Sequence, residues 1–386
     1  MNDRAALDLL VKLGPLSRTR IGDLTGLSKP TASQLVTRLE DAGLVVATGT
    51  AMGSPGPGAR LYSINARAAY VIGMDVTSSR VRAAVADIAG RIIGEHELPI
   101  AGHLDQGAVP PVMAVVDGAL KEAGLTRSEI HRIVMGMPAL SGPSTGRLPY
   151  TSRSPGWFSS ALMDELSAAL PIPIECEKDV NLAALAEQRL GAAREHQDFV
   201  LLWNQEELGA AVVIGYQLHR GWTGRAGQVR FLPVPATPLV RQGANAEGAG
   251  SQQLAVPQML AELARRLGID DFDCGPYEEV AIKVIERATT VGDGLYPRLL
   301  EAFATGLAIV LATMTAILDP GLLVLSGAVF RSGGEQLRRL IESELTGLTP
   351  THPRLVVGGV QQDPVLRGAV EYALATTRDE VFDTSL

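Results

Sequence analysis

The sequence of 386 residues is poor in cysteine, in aromatic residues and in long apolar runs. Its two cysteines, Cys176 and Cys274, are isolated, which excludes a disulfide-rich scaffold and a Cys-x-x-Cys metal site. No uncharged apolar run reaches the ~20 residues that a membrane-spanning helix needs. The N-terminus also lacks the basic-then-apolar pattern of a signal peptide. These absences predict a cytoplasmic protein that does not enter the membrane.

An excess of positive charge is also missing, since the net charge is -8. The charge is unevenly distributed along the chain. Residues 1–66 hold seven Lys and Arg against five Asp and Glu, whereas the remainder holds 27 against 37. A small basic part and a large acidic part predict two domains, residues 1–66 and residues 67–386. Only the first suits contact with nucleic-acid phosphates.

Residues 16–43 have the pattern of a helix-turn-helix. Gly26 can adopt the left-handed conformation of a tight turn between two helices, and Ser28 can cap the second helix. Pro30 falls in the first turn of that helix, where no backbone donor is lost. Apolar residues then recur at helical spacing and predict one buried face: Ala32, Leu35, Val36 and Leu39. The opposite face is polar and basic, as in a helix that enters a DNA major groove.

Two short apolar runs, residues 44–47 and 61–64, flank a Gly- and Pro-rich loop and predict a hairpin. Together with an amphipathic helix before residue 16, the pattern predicts a winged helix-turn-helix. A small helical subdomain with a solvated outer face is the alternative. The predicted DNA contacts are the exposed polar residues of the second helix and an arginine of the wing: Lys29, Thr31, Ser33, Gln34, Arg38 and Arg60.

The remainder of the chain alternates strands and helices, and a strand meander followed by helices occurs twice. This repetition predicts a two-lobed α/β domain. The predicted strands include residues 70–76, 130–137, 322–325 and 354–357. The predicted helices include residues 109–123, 179–189, 297–318 and 334–345.

This order of parts resembles the ROK family (repressors, open reading frames, sugar kinases) in its transcriptional-regulator branch. Three passages carry the resemblance: residues 73–76 with 80–87, residues 153–157 with 177–187, and residues 318–327. The resemblance implies a winged helix-turn-helix followed by a two-lobed, actin-like domain of the ribonuclease H-like, sugar-kinase type. It also implies a sugar site and a homodimer or homotetramer formed through the C-terminal domain.

The phosphate-binding loops depart from the pattern of the family's kinases. A glycine pair that lets backbone amides approach ATP is replaced by Thr77 and Ser78. The second loop has Glu206 and Glu207 in place of a Thr-Gly run, and two carboxylates repel a polyphosphate. The sequence therefore predicts that nucleotide binds poorly and that the protein is not an enzyme.

The family's zinc site is also altered. In the Gly-Glu-x-Gly-His passage, Gln228 stands for the glutamate and Phe231 for the histidine. The following loop, residues 246–253, contains no cysteine. Zinc in this family needs one histidine and three cysteines, so we expect neither structural zinc nor another cofactor.

Asp179 matches the family's general base, which accepts a proton from a sugar hydroxyl. The alternative is that Asp179 only caps the helix beginning at Val180. The effector contacts that the resemblance implies are Arg153, Lys178, Asp179, Asn181, Gln228 and Gln253. The cations Arg153, Lys178 and Arg230 indicate an acidic or phosphorylated sugar.

The sequence thus predicts a repressor of sugar-related genes that binds a double-stranded DNA operator and a sugar or sugar derivative. We expect the effector to shift a conformational equilibrium that changes DNA affinity. Two alternatives remain open: a sugar kinase with an appended DNA-binding domain, and a regulator that responds to no small molecule.

Overall fold

The computed structural model describes residues 2–50, 59–77, 79–100, 107–138, 162–205, 208–229, 232, 257–269, 277–292 and 294–383. The chain divides into two compact units. The first comprises residues 1–135, 161–176 and 369–386, and the second comprises residues 136–160 and 177–368. The predicted boundary after residue 66 lies within the first unit, because the N-terminal helices share buried core with Ala69, Ile88 and Phe382. The division at 66/67 stays a prediction.

The first unit begins with three helices and a small sheet. The helices are α1 (Asn2–Leu13), α2 (Arg18–Thr25) and α3 (Lys29–Asp41), and the strands are β1 (Leu16–Ser17), β2 (Val45–Thr50) and β3 (Arg60–Ile64). The strands pair antiparallel in the order β1-β3-β2. Ser17 caps α2 by accepting a hydrogen bond from the Arg20 amide, and α2 ends at Gly26 with φ of 70°. This is the architecture of a winged helix-turn-helix.

A five-stranded sheet follows, with order β6-β5-β4-β7-β8. Its strands are β4 (Tyr70–Val76), β5 (Arg80–Asp87), β6 (Ile92–Pro99), β7 (Ile130–Met137) and β8 (Ile174–Lys178). The first three strands form an antiparallel meander. Helices α4 (Val109–Ala123) and α5 (Leu162–Ala169) belong to the same part of the chain. Every residue from Val71 to Val76 is buried, as expected for a central strand covered on both faces.

The second unit repeats the pattern with a second five-stranded sheet, in the order β11-β10-β9-β12-β13. Its strands are β9 (Phe199–Asn204), β10 (Leu208–Ile214), β11 (Gln217–Leu218), β12 (Leu322–Ser326) and β13 (Arg354–Val357). Its helices are α6 (Asp179–Leu190), α7 (Pro257–Arg266), α8 (Tyr277–Thr290), α9 (Leu295–Leu318) and α10 (Ala328–Leu348). Strands β9 and β13 run parallel to β12, whereas β9, β10 and β11 form an antiparallel meander.

Helix α9 is the helix on which the predicted absence of a membrane span depends. Within the described ranges it is the one helix that is long and apolar enough to cross a membrane by length and composition alone. Its side chains Phe303, Leu307 and Leu311 are buried in a core shared with α8 and α10. The apolar composition of α9 is therefore that of a central core helix.

The last helix, α11 (Pro364–Asp383), packs against different elements at its two ends. Near its start, a Cβ added to Gly368 would lie 1.8 Å from the carbonyl oxygen of Leu182 in α6, so the two backbones are in direct contact. Near its end, Phe382 is buried in the winged-helix core. Arg4 of α1 lies 5.5 Å from the Phe382 ring centre and donates to Asp379 at 2.6 Å.

Candidate DNA-binding surface and ligand site

Helix α3 has the predicted cap and the predicted buried face. The Ser28 hydroxyl accepts a hydrogen bond from the Thr31 amide, and Pro30 lies in the first turn. The buried residues of α3 are Ala32, Leu35, Val36 and Leu39, as the spacing predicts. Their burial turns the polar residues of α3 away from the core.

Two of the predicted DNA-contacting side chains on α3 are exposed and able to contact DNA. Lys29 and Gln34 are exposed, and neither has a hydrogen-bond or ion-pair partner among the residues that the structure describes. The exposed Thr31 hydroxyl lies 2.8 Å from that of Ser28. Gln34 has the amide that pairs with adenine, and Lys29 has an ammonium group for guanine or phosphate.

The other two predicted contacts on α3 are engaged within the domain. Arg18, at the first position of α2, donates to the Ser33 hydroxyl at 3.0 Å. Arg38 donates to both carboxylate oxygens of Asp3 at 2.7 and 2.9 Å, and Asp3 is buried. Arg38 therefore holds α3 against α1, and DNA contact by Ser33 and Arg38 stays a prediction.

Arg60 begins the second strand of the wing and shares its surroundings with Arg18. The two guanidinium carbons lie 5.5 and 5.0 Å from the ring centre of Tyr62, and both arginines pair with Glu40. Sequence reasoning did not select Arg18. Its position between α3 and the wing adds a fourth cation, after Lys29, Arg38 and Arg60, to the surface that carries the predicted DNA contacts.

The second candidate site lies at the start of α6, entirely within the second unit. The residue preceding the helix is Lys178, and Asp179 is the first helical residue, so the alternative in which Asp179 only caps a helix beginning at Val180 is wrong. The Asp179 carboxylate nevertheless accepts from the Val180 amide at 2.7 Å and from the Trp203 indole N–H at 3.2 Å. The helix start and strand β9 together fix its orientation.

Glu177 is the centre of this site, although sequence reasoning did not choose it. One carboxylate oxygen accepts from the Lys178 amide at 2.9 Å and from Asn181 Nδ2 at 2.7 Å. The other accepts from Arg220 Nε at 2.6 Å. Glu177 and Asn181 are both buried. Charge-assisted hydrogen bonds on both oxygens satisfy the buried carboxylate and fix the orientation of the Asn181 side chain.

Lys178 extends from the same place to a neighbouring turn. Its Nζ donates to the carbonyl oxygen of Ala226 at 2.6 Å. Burial lowers the pKa of Lys178, against the opposing effect of the Glu177 and Asp179 carboxylates. With Arg220, the cluster contains two cations and two anions, so its formal charge is balanced.

Residues 220–228 form the turn that Lys178 contacts. The Ala226 amide donates to the Arg220 carbonyl at 3.1 Å, which closes the turn, and the Gln228 amide donates to the Arg225 carbonyl at 3.3 Å. The structure thus brings Lys178, Asp179 and Asn181 together and places the backbone of Gln228 on the adjoining turn. Other residues singled out from the sequence lie outside the described ranges: Ser78, Arg153, Glu206, Glu207, Arg230, Phe231 and Gln253.

The turn between β4 and β5 is where the kinases' first phosphate loop is expected. The Thr77 hydroxyl accepts hydrogen bonds from the Arg80 amide at 3.1 Å and the Ser79 amide at 3.4 Å. The Thr77 amide in turn donates to the Arg80 carbonyl at 2.9 Å. Three amides that a glycine loop would offer to phosphate are used inside this turn.

Fold and site together define a DNA-binding protein whose winged helix-turn-helix precedes a sugar-kinase-type α/β domain. The model of the ROK family matches residues 71–376, and the model of the MarR family matches residues 3–52. The chain belongs to the ROK family. The predicted family, the N-terminal winged helix-turn-helix and the fold class are thereby confirmed, and the two matches lie on either side of the predicted boundary.

Individual relatives include regulators and kinases. The xylose repressor of Bacillus subtilis (strain 168) is 22% identical over 234 residues, which are 61% of this chain and 60% of the repressor. A crystal structure of a ROK-family transcriptional regulator, a homologue of the Escherichia coli MLC protein, matches with a TM-score of 0.74 at 17% identity, over 100% of this chain and 98% of that chain. The ROK hexokinase from Thermus thermophilus matches with a TM-score of 0.66 at 25% identity, over 80% of this chain and 99% of that chain.

Proposed function

We propose that this protein is a sugar-responsive transcriptional repressor that binds operator DNA through its winged helix and does not phosphorylate sugar. The observation that carries the proposal is the joining of a winged helix-turn-helix to a ROK domain with an altered phosphate loop. The likeness to a xylose repressor supports the same function. The operator and the effector both lie in the cytoplasm.

The DNA-binding part of the proposal depends on α3 and the wing. Lys29 and Gln34 project from an exposed helix face, and Arg60 lies on the wing beside Arg18. A single winged helix reads one half-site, so a homodimer or homotetramer would bind paired half-sites.

The absence of kinase activity is inferred from the two loops that correspond to the phosphate-binding loops of the family's kinases. The β4–β5 turn uses its own amides around Thr77, and the loop after β9 carries Glu206 and Glu207. Phosphoryl transfer depends almost entirely on positioning and charge neutralisation of the phosphates, which neither loop provides. The second candidate, a sugar kinase, is favoured by the presence of Asp179 at the position of the general base.

The ligand that fits the described cluster best is a neutral sugar. Lys178 and Arg220 are matched by Glu177 and Asp179, so the cluster offers no excess positive charge to an anion. Asp179 and Asn181 provide an acceptor and an amide for hydroxyl groups. The acidic or phosphorylated sugar that the sequence indicated would depend on Arg153 and Arg230, outside the described ranges.

The route by which we propose that a ligand affects DNA binding runs through α6 and α11. The ligand cluster lies at the start of α6, and the backbone of α6 touches α11 at Gly368. The far end of α11 places Phe382 in the winged-helix core. A ligand that prefers one arrangement of α6 would shift the position of α11 and thereby the DNA affinity, provided that it binds the two states unequally.

A thermal-shift screen tests the proposal. Neutral sugars, sugar acids, sugar phosphates and magnesium-ATP are compared side by side, and the Asp179→Asn variant is the control. A ligand that binds only the native state raises its melting temperature. We expect a sugar to raise it in the wild type, less so in the variant, and ATP to have no effect. Stabilisation by ATP would support the kinase instead, and no shift by any sugar would favour the effector-independent regulator.

A further inference from the structure

We infer that the turn around Trp222 forms a second subsite, so that the effector is a glycoside or oligosaccharide whose second ring stacks on this indole. The inference rests on the proposed sugar site at Asp179 and Asn181. It assigns a role to a residue that the sequence analysis did not select.

Trp222 is almost completely in water. Its side chain is 94% exposed, the largest exposure of any large apolar residue among the ranges that the structure describes. It occupies the second position of a β-turn in which the Gly224 amide donates to the Gly221 carbonyl at 3.4 Å. Gly221 and Gly224 have φ of 72° and 73°, a conformation that side chains other than glycine rarely adopt. The exposed indole offers a large apolar face that a ligand can bury.

The turn that carries Trp222 is fixed to the ligand cluster at both ends. Two residues before the indole, Arg220 pairs with Glu177 at 2.6 Å. Four residues after it, the Ala226 carbonyl accepts from Lys178 Nζ at 2.6 Å. A Cβ added to Gly227 would lie 1.8 Å from the Ala210 carbonyl oxygen, so the turn also rests directly on β10. The backbone that carries the indole is therefore held beside the cluster.

The chemistry of the turn suits a sugar ring. The C–H face of a pyranose is apolar and stacks on an aromatic face, while its hydroxyls need polar partners at the ring edge. Arg225 lies three residues after Trp222, is exposed, and has no ion-pair or hydrogen-bond partner for its side chain within the described part of the chain. One exposed indole and one exposed guanidinium provide enough surface to contact a single sugar ring. A stable protein interface needs about 800 Å² of buried surface on each partner.

Titration calorimetry with matched sugar pairs tests the inference. The pairs are xylose and xylobiose, glucose and cellobiose, glucose and maltose, and N-acetylglucosamine and diacetylchitobiose. For the pair that binds, we expect the wild type to bind the disaccharide about 10-fold more tightly than the monosaccharide. Trp222→Ala removes that difference and leaves the monosaccharide affinity unchanged. Tyr216→Ala, which removes another exposed aromatic residue from the same meander, changes neither affinity.

The outcomes separate this inference from the proposed function. If the wild type binds a monosaccharide and gains nothing from the second ring, the subsite is refuted while the sugar-responsive repressor stands. Equal loss of both affinities in Trp222→Ala also refutes it, since the indole would then belong to the first site. If a Trp222→Ala change alters no sugar affinity, the exposed indole serves another partner, such as a protein. Failure of all four pairs to bind contradicts both proposals.

Discussion

Glu187 gives the sharpest prediction about stability, because its carboxylate joins the end of α6 to the segment after β13. The side chain has no exposed surface. One carboxylate oxygen accepts from the amides of Ala192 at 2.8 Å and Gly359 at 2.9 Å, and the other accepts from the Val360 amide at 3.0 Å. Replacing Glu187 with alanine leaves three amides without this acceptor.

The expected cost follows from those three hydrogen bonds. The three donating residues are partly or fully exposed, so each lost hydrogen bond costs its net value of about 0.5–1.5 kcal/mol, and Glu187→Ala should lower the free energy of unfolding by roughly 1.5–4.5 kcal/mol. Glu187→Gln keeps one oxygen but turns an NH₂ group toward an amide donor. We therefore expect an intermediate loss, on the order of 2 kcal/mol.

A neighbouring glycine provides an independent check. A Cβ added to Gly191 would lie 2.0 Å from one Glu187 carboxylate oxygen, so Gly191→Ala has to displace the carboxylate. Once Glu187 is alanine, the same methyl group meets no carboxylate. The double variant should therefore lose much less stability than the sum of the two single variants.

Urea unfolding followed by tryptophan fluorescence and circular dichroism measures these differences. The free energy of unfolding should decrease in the order wild type, Glu187→Gln, Glu187→Ala. A Glu187→Ala protein within about 1 kcal/mol of the wild type would show that the three hydrogen bonds to Glu187 do not stabilise the fold. Strict additivity with Gly191→Ala would show that the two residues do not compete for space.

Three further predictions concern DNA binding, pH and coupling. Gln34→Ala should weaken operator binding without changing the melting temperature. Arg38→Ala should reduce both the operator affinity and the melting temperature, because the buried Asp3 carboxylate of α1 loses its partner. Fluorescence anisotropy measures the affinity and thermal melts measure the stability of each variant. Hydrogen bonds chiefly from Arg338 lower the pKa of Glu335 from 4.5 to about 2, so its contribution to stability is present above pH 4.5 and is lost as the pH falls toward 2. The decline in unfolding free energy between pH 5 and pH 2 should accordingly be smaller in Glu335→Gln. Gly368→Ala should push α11 away from α6. A sugar should then still raise the melting temperature but change the operator affinity less than in the wild type. If the sugar changes the operator affinity of the variant as much as that of the wild type, α6 and α11 do not couple the two sites.

Local pattern predicted much of the fold. The bounds of α4, β7 and β13 agree with the periodicity and turn signals of their own residues. Helix α10 shows where a local signal is ambiguous. The pattern predicts a start at Gly334, but the helix begins at Ala328 and is broken at Gly334, where φ is 51° and ψ is -145°. The glycine marks a break within the helix rather than its first residue.

Contacts between distant residues could not be predicted in this way. Arg18 reaches Ser33 across 15 residues, Trp203 reaches Asp179 across 24, and Arg220 reaches Glu177 across 43. No periodicity links such positions, because the pairing depends on how strands and helices pack. The sequence therefore selected Asp179 and Asn181 through a family motif and overlooked Glu177, the carboxylate that holds their surroundings together.

We propose that a sugar, and not ATP, controls the affinity of this protein for DNA. The most direct measurement first selects an operator from a random duplex library and then titrates it by fluorescence anisotropy at one fixed salt concentration. The sugar that stabilises the protein and magnesium-ATP are then added in separate titrations. We predict a selected site with two related halves, about 10-fold or more weaker binding in the presence of the sugar, and no effect of ATP. An operator affinity that the sugar leaves unchanged, or that ATP alone alters, would show that a sugar does not control DNA binding in this protein.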